Sequence, residues 1–181
     1  VVNDILIEMG TARYQDVMDR YIRGETVPYH ELRRAWEDTT NPGTNGDKPI
    51  YQEFLAAVRD VNMKLPAEKK LRVLLGDPPI AWEFVRNRDD LRRWNMQRDP
   101  HAFAVLKRES LSKNRRALIV YGDGHFQGRG FPALSLTVLI ERAGIKMITI
   151  APRYANLIKM QPSVAQWKTP SFAMIRGTTI G

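Results

Sequence analysis

The chain has 181 residues, 43% of them hydrophobic and 27% charged, with a formal net charge of +8 and no cysteine. This is the balance of one globular domain or a large piece of one, and it excludes full disorder, collagen-like repeats and long coiled coils. Without cysteine there is no disulfide, zinc–thiolate site, iron–sulfur cluster or thiol nucleophile. No apolar run approaches the ~20 residues needed to span a bilayer.

The first residues, Val1-Val2-Asn3-Asp4-Ile5-Leu6-Ile7-Glu8, include a buried-type strand over Asp4–Ile7, closed by Glu8-Met9-Gly10. A chain that opens directly on such a strand, without Met or signal peptide, is expected to be a fragment of a larger domain. Thr11 caps a predicted helix running to about Arg23, with Gly24 as its stop. Its Tyr14, Val17, Met18, Tyr21 and Ile22 fall at helical spacing. A second helix is predicted over Tyr29–Glu37, after Pro28. Thr39–Pro49 is rich in Asn, Gly and Pro and long for a connector, which suggests a flap over a site. A third helix follows over Ile50–Lys64, with Phe54, Leu55, Val58 and Val61 on one face.

Leu71–Leu75 reads as a second buried strand ending in Gly76-Asp77-Pro78-Pro79. A short helix is expected over Trp82–Arg86. Asp99-Pro100 then reads as the cap and first-turn proline of a helix reaching about Lys113. Ala117–Tyr121 is a third buried strand, ending in Gly122-Asp123-Gly124-His125. Phe131–Arg142 is predicted helical, with Gly144 as its stop. A fourth strand is predicted over Lys146–Ile150, ending in Ala151-Pro152-Arg153, and a final one over Ser171–Ile175. The alternation predicts a single α/β domain over 1–181, with a mostly parallel central sheet and helices on both faces. The strands are apolar throughout, as both-face burial requires.

Charge is uneven. Arg86–Arg116 carries ten Lys/Arg against four Asp/Glu, and Ala151–Gly181 carries four against none. A solvated basic helix face accounts for the first segment more simply than a nucleic-acid partner, because no nucleic-acid motif or interleaved surface aromatic accompanies it. His30 and His101 read as exposed helix residues. Trp36, Trp82, Trp94 and Trp167 read as core or cover, with a pocket wall as the alternative.

In open parallel sheets ligands bind beyond the carboxyl ends of the strands. The residues just after each predicted strand are Glu8, then Gly76 and Asp77, then Gly122, Asp123, Gly124 and His125, then Arg153. Asp or Gly at one strand end is ordinary turn chemistry; the coincidence of several chemistry-bearing residues is the functional signal. A histidine oriented by a carboxylate handles protons at neutral pH. Two carboxylates with a histidine can instead hold a divalent cation that activates water. An arginine at the rim suits an anionic group or a developing oxyanion. Gly122-x-Gly124-x-x-x-Gly128 lacks dinucleotide-fingerprint spacing, and the next predicted strand does not end in a ribose-binding acid. There is no Walker A motif, G-x-S-x-G elbow or H-E-x-x-H.

Gly122-Asp123-Gly124-His125 after an apolar strand resembles the G-x-x-H motif of the TraB/Tiki superfamily, which takes in ChaN-like and erythromycin esterase-like proteins. Ile5-Leu6-Ile7-Glu8 resembles that superfamily's second acidic motif, and the runs RVLLGDPPI, RRALIVYGDGH and IRGTTIG resemble those of bacterial proteins of this group. The resemblance spans nearly the whole chain. It implies a hydrolase domain in which His125, or a metal held by Glu8 and His125, activates water against an ester or amide. Asp77 and Asp123 would orient the histidine or join a metal shell. Arg20, Arg153, Gly122 and Gly124 would meet the substrate, a small molecule or peptide. The superfamily's acid–His motif has no counterpart here and would precede Val1. The alternative is a non-catalytic ChaN-like module for haem or a metal, lined by Tyr121, Tyr154, His125 and tryptophans.

Overall fold

The computed structural model describes residues 2–42, 48–126 and 134–150. The chain divides into two compact units, Val1–Met147 and Ile148–Gly181. The second lies almost wholly outside the described residues, as do the predicted strand at Ser171–Ile175, Tyr154, Trp167 and Arg153.

Among the described residues the first unit is an α/β structure around three strands, β1 (Asp4–Thr11), β2 (Arg72–Asp77) and β3 (Ala117–Val120). They lie in the order β2-β1-β3, and both pairings are parallel. Side chains alternate between the faces of a strand, so a strand apolar at every position needs cover on both sides. Ile5 and Ile7 of β1 pack with Val73 and Leu75 in one core, and Leu6 packs with Leu74 in another.

The first core is closed by α1 (Gln15–Arg23), α2 (Tyr29–Leu32), α3 (Arg34–Glu37) and α4 (Pro49–Lys64), through residues such as Met18, Ile22, Leu32, Trp36, Leu55 and Val58. The Thr11 hydroxyl accepts from the backbone of Arg13 in a single 3-10 turn leading into α1. Gly24 ends that helix in the left-handed region at φ 106°, where a side chain would be strained. Pro49 occupies the first turn of α4, where its missing N–H costs nothing. Asn62, buried late in α4, donates to the carbonyls of Ile22 and Leu71 and accepts from the Leu71 N–H. One side chain thereby satisfies the backbone just ahead of β2.

The second core is closed by α6 (Arg98–Glu109) and α7 (Leu136–Arg142), through Ala102, Val105, Leu106, Leu136 and Ile140. The charged helix α5 (Arg88–Met96) precedes α6, with only Gln97 between them. Its start is capped by the Asn87 side chain, which accepts from Asp90 N–H.

Residues 146–150, expected as a fourth strand, form none. Their apolar character was sufficient for a strand, but a strand exists only where a ladder completes its backbone hydrogen bonds. β3 accordingly ends the described sheet, with Leu118 48% exposed. The helix expected to begin at Asp99-Pro100 instead begins at Arg98 and ends at Glu109, so Asp99 lies inside its first turn. The single helix expected over Tyr29–Glu37 is two short ones. Among the described residues, no helix is long and apolar enough to cross a membrane.

Candidate functional site

The carboxyl ends of all three strands meet at one rim. Between Ile7 and Thr11 the register of β1 against β2 shifts, so that four steps along β1 match two along β2. Such bulges re-aim side chains. Glu8 lies inside this irregularity, and its carboxylate crosses to the loop after β3. There one oxygen accepts from the Gly122 N–H at 2.6 Å. The other faces His125 Nε2 at 3.3 Å and accepts from Arg98 Nη2 at 2.5 Å.

Arg98 joins the strand ends. Its Nε donates to Asp77 at 3.3 Å, so one guanidinium ties the carboxylate after β1 to the carboxylate ending β2. Asp77 is buried and also accepts from the backbone and hydroxyl of Thr40, at 2.7 and 2.6 Å. Thr40 belongs to the loop expected as a flap; residues 43–47 of that loop lie outside the described residues.

His125 sits in a 3-10 turn after β3, Asp123–Phe126. Its Nδ1 donates to Asp99 Oδ1 in a short hydrogen bond. The other Asp99 oxygen accepts from the N–H of Leu136, in the first turn of α7. Asp99 therefore orients the imidazole while caring for an otherwise unpaired helix donor. Tyr121 meets the His125 ring edge-on, with centroids 5.2 Å apart. The Tyr121 hydroxyl is buried without a hydrogen-bond partner among the described residues. It lies against Gly76 so closely that an added Cβ would fall 1.8 Å from it.

These contacts set the charges. Burial works against the ionised Glu8 carboxylate, but His125, the Gly122 N–H and Arg98 outweigh it and hold its pKa down at about 2. Burial likewise works against a charged imidazole, yet Asp99 and Glu8 raise His125 to about 9. At neutral pH the ring is an imidazolium between two carboxylates. Burial dominates at Asp77 and raises its pKa despite Thr40 and Arg98. Tyr121 is raised well above its ordinary value, first by burial and then by the neighbouring carboxylates.

Glu8, Asp77 and His125 thus come together at one edge of the sheet, as the strand-end rule expects. Gly122 joins them through its N–H. The Asp123 carboxylate is exposed and makes no hydrogen bond or ion pair among the described residues; a Cβ added at Gly124 would meet none of them within 4 Å. Arg20 is away from the cluster, in an exposed ion pair with Glu25 beyond the carboxyl end of α1. His30 is exposed, and Trp36 is buried in the first core. Four contributors went unrecognised in the sequence. Asp99 reads as a cap, His101 as surface, and Arg98 as one more arginine of a basic run. Thr40 is one polar residue in a loop full of them. Yet Arg98-Asp99-Pro100-His101 concentrates three chemistry-bearing residues at a helix start, and His101 Nδ1 reaches the Gly76 carbonyl at 3.0 Å.

The expected metal donors are committed to one another. Both oxygens of Glu8 and of Asp77, and both nitrogens of His125, face protein partners, and a guanidinium stands between the two carboxylates. Among the described residues no group of three or more His, Asp or Glu is disposed to hold a cation. This is an ion-paired acid–base cluster, with no open donor set for a metal as placed.

Beside the cluster is a cavity of about 510 Å³ whose lining includes His125, Asp99, Arg98, Arg88, Arg92 and Ser135. Neither tryptophan of the neighbouring stretch, Trp82 or Trp94, lines it. Comparison of the chain with protein families, with curated proteins and with solved structures found no match.

Proposed function

We propose that this rim is a hydrolytic acid–base site for an ester or amide, with His125 Nε2 as the atom that moves the proton. Asp99 holds Nδ1–H and so fixes the ring's tautomer and direction, the role a buried carboxylate plays beside a catalytic imidazole. Nε2 faces Glu8 across a long 3.3 Å contact, which a bound substrate can replace more readily than the shorter Asp99 bond. Water adds to the carbonyl carbon as it gives a proton to Nε2 of the neutral ring, a form that gains population as pH rises toward about 9, and the carbonyl oxygen becomes the oxyanion. The imidazolium so formed then gives the Nε2 proton to the departing oxygen or nitrogen as its bond to that carbon breaks. Arg98 stands at the same cavity wall and supplies positive charge for the oxyanion formed at the carbonyl, the part expected of Arg153. Glu8 and Asp77 keep the guanidinium in position from two strands.

The observation that carries this reading is an imidazole oriented by Asp99 at the wall of a cavity that also presents a guanidinium. The test is a panel of chromogenic esters and peptides, with the wild type set against His125→Gln. Loss of about 10²–10⁴ in kcat/KM is expected for the variant, with Arg20→Gln unchanged. Equal turnover by wild type and His125→Gln, with folding confirmed by circular dichroism, would remove His125 from the mechanism.

A further inference from the structure

The wall of the cavity on the α5 side is cationic. Arg88 and Arg92, four apart on α5, share a helix face. Both are exposed, and neither makes an ion pair among the described residues. Arg98 and His125 line the cavity further in, where Glu8, Asp77 and Asp99 already balance their charge, so the unpaired cations of this wall among the described residues are Arg88 and Arg92. Asp99, the acidic residue of this wall, is already engaged by His125 and by the Leu136 N–H. A second observation is independent of charge. Ser135 lines the same cavity, is 3% exposed, and its hydroxyl has no hydrogen-bond partner among the described residues. A buried hydroxyl left unmatched is costly unless something completes it.

We infer that this cavity takes a compact oxyanionic group of the substrate, a carboxylate or phosphoryl group, gripped by Arg88 and Arg92 and completed by the Ser135 hydroxyl. The group would lie beside His125, so the ester or amide acted on carries an anionic substituent close to the bond that breaks; this last step rests on the hydrolytic reading above. Guanidinium forks suit planar and tetrahedral oxyanions, through paired charge-assisted hydrogen bonds. The placement also gives part of the basic excess of residues 86–116 a use other than solvation.

The test separates binding from turnover. Inorganic phosphate and sodium acetate are titrated calorimetrically into the protein at constant ionic strength, with sodium chloride as the blank. Saturable binding of at least one is expected, weakened about tenfold in Arg88→Gln and in Arg92→Gln and several-fold in Ser135→Ala. Phosphate binding with no acetate binding assigns a phosphoryl group; the reverse assigns a carboxylate. Heats that do not saturate, or affinities unchanged in the Arg88→Gln/Arg92→Gln double variant, mean an adventitious ion only and overturn the inference. Both arginines are surface residues, so the variants are expected to fold, and thermal melts confirm it. If the anion binds saturably while no ester or peptide is turned over, the subsite stands and the hydrolytic reading fails. If neutral and anionic esters are cleaved alike and neither ion binds, the hydrolytic reading stands and the subsite fails.

Discussion

The charge state of His125 can be measured directly, and it fixes a pH dependence of stability. The ring is only 16% exposed and is held between Asp99 and Glu8. Its pKa of about 9 against an ordinary 6.5 is worth about 3 kcal/mol of preference for the charged form in the folded chain, at ~1.36 kcal/mol per unit. The depressed Glu8 describes the same pairing from the other side and adds nothing to that figure. Because the folded state binds the proton more tightly than the unfolded one, this stability is fully present below about pH 6.5. It falls as pH rises, by at most ~1.4 kcal/mol per unit, and is gone above about pH 9. At the acid end the Glu8 contribution is complete above about pH 4.5 and declines toward about pH 2. Asp99→Asn removes the first charge partner and lowers the His125 midpoint by at least one unit, flattening the alkaline decline. Two-dimensional NMR of the ring Cε1–H resonances, assigned against His30 and His101 by single replacement, gives the midpoint. Urea melts between pH 6.5 and 9.5 give the stability. A His125 midpoint near 6.5 with flat stability over that range would refute the two-carboxylate account.

Gly76→Ala places a methyl group 1.8 Å from the Tyr121 hydroxyl oxygen and 3.0 Å from the Ile7 carbonyl oxygen, and is expected to cost about 1–3 kcal/mol in urea melts. Tyr121→Phe removes a buried hydroxyl that has no partner among the described residues, so its own effect should be neutral or stabilising by up to about 1 kcal/mol. The double variant should recover part of the Gly76→Ala loss. Strict additivity, within about 0.5 kcal/mol, would mean that the hydroxyl is not what the methyl group meets. Asn62→Ala strips three hydrogen bonds from the backbone of Ile22 and Leu71 and should cost about 2–4 kcal/mol. Rapid hydrogen exchange at the Leu71 amide should accompany the loss, and continued protection there would contradict the assignment.

The parallel α/β plan was legible because β1, β2 and β3 are short apolar runs separated by helices of the right period. Strand ends were readable to within a few residues, and from them the meeting of Glu8, Asp77 and His125 followed. What failed were features that depend on a partner. Lys146–Ile150 has the residues of a strand and no ladder. Asp99 has the local grammar of a cap, but its carboxylate serves His125 and α7, 26 and 37 residues further on. Arg98 looks like its basic neighbours until folding brings two strand-end carboxylates to it. Local pattern reports what a segment can form; it carries no record of which distant group a side chain will answer.

The order of the strands has a consequence for biosynthesis. β1, the first of the described strands in sequence, is the middle one, and each of its flanks waits for a later partner. The second flank is sealed only near Arg116, whose backbone N–H reaches the side chain of Asn3, 113 residues away. At ~5–20 residues per second a ribosome needs roughly 6–23 s to cover that interval. Throughout it, one of the most apolar stretches of the polypeptide has a bare edge outside the exit tunnel, a natural target for a holding chaperone and the first place where crowded overexpression should go wrong.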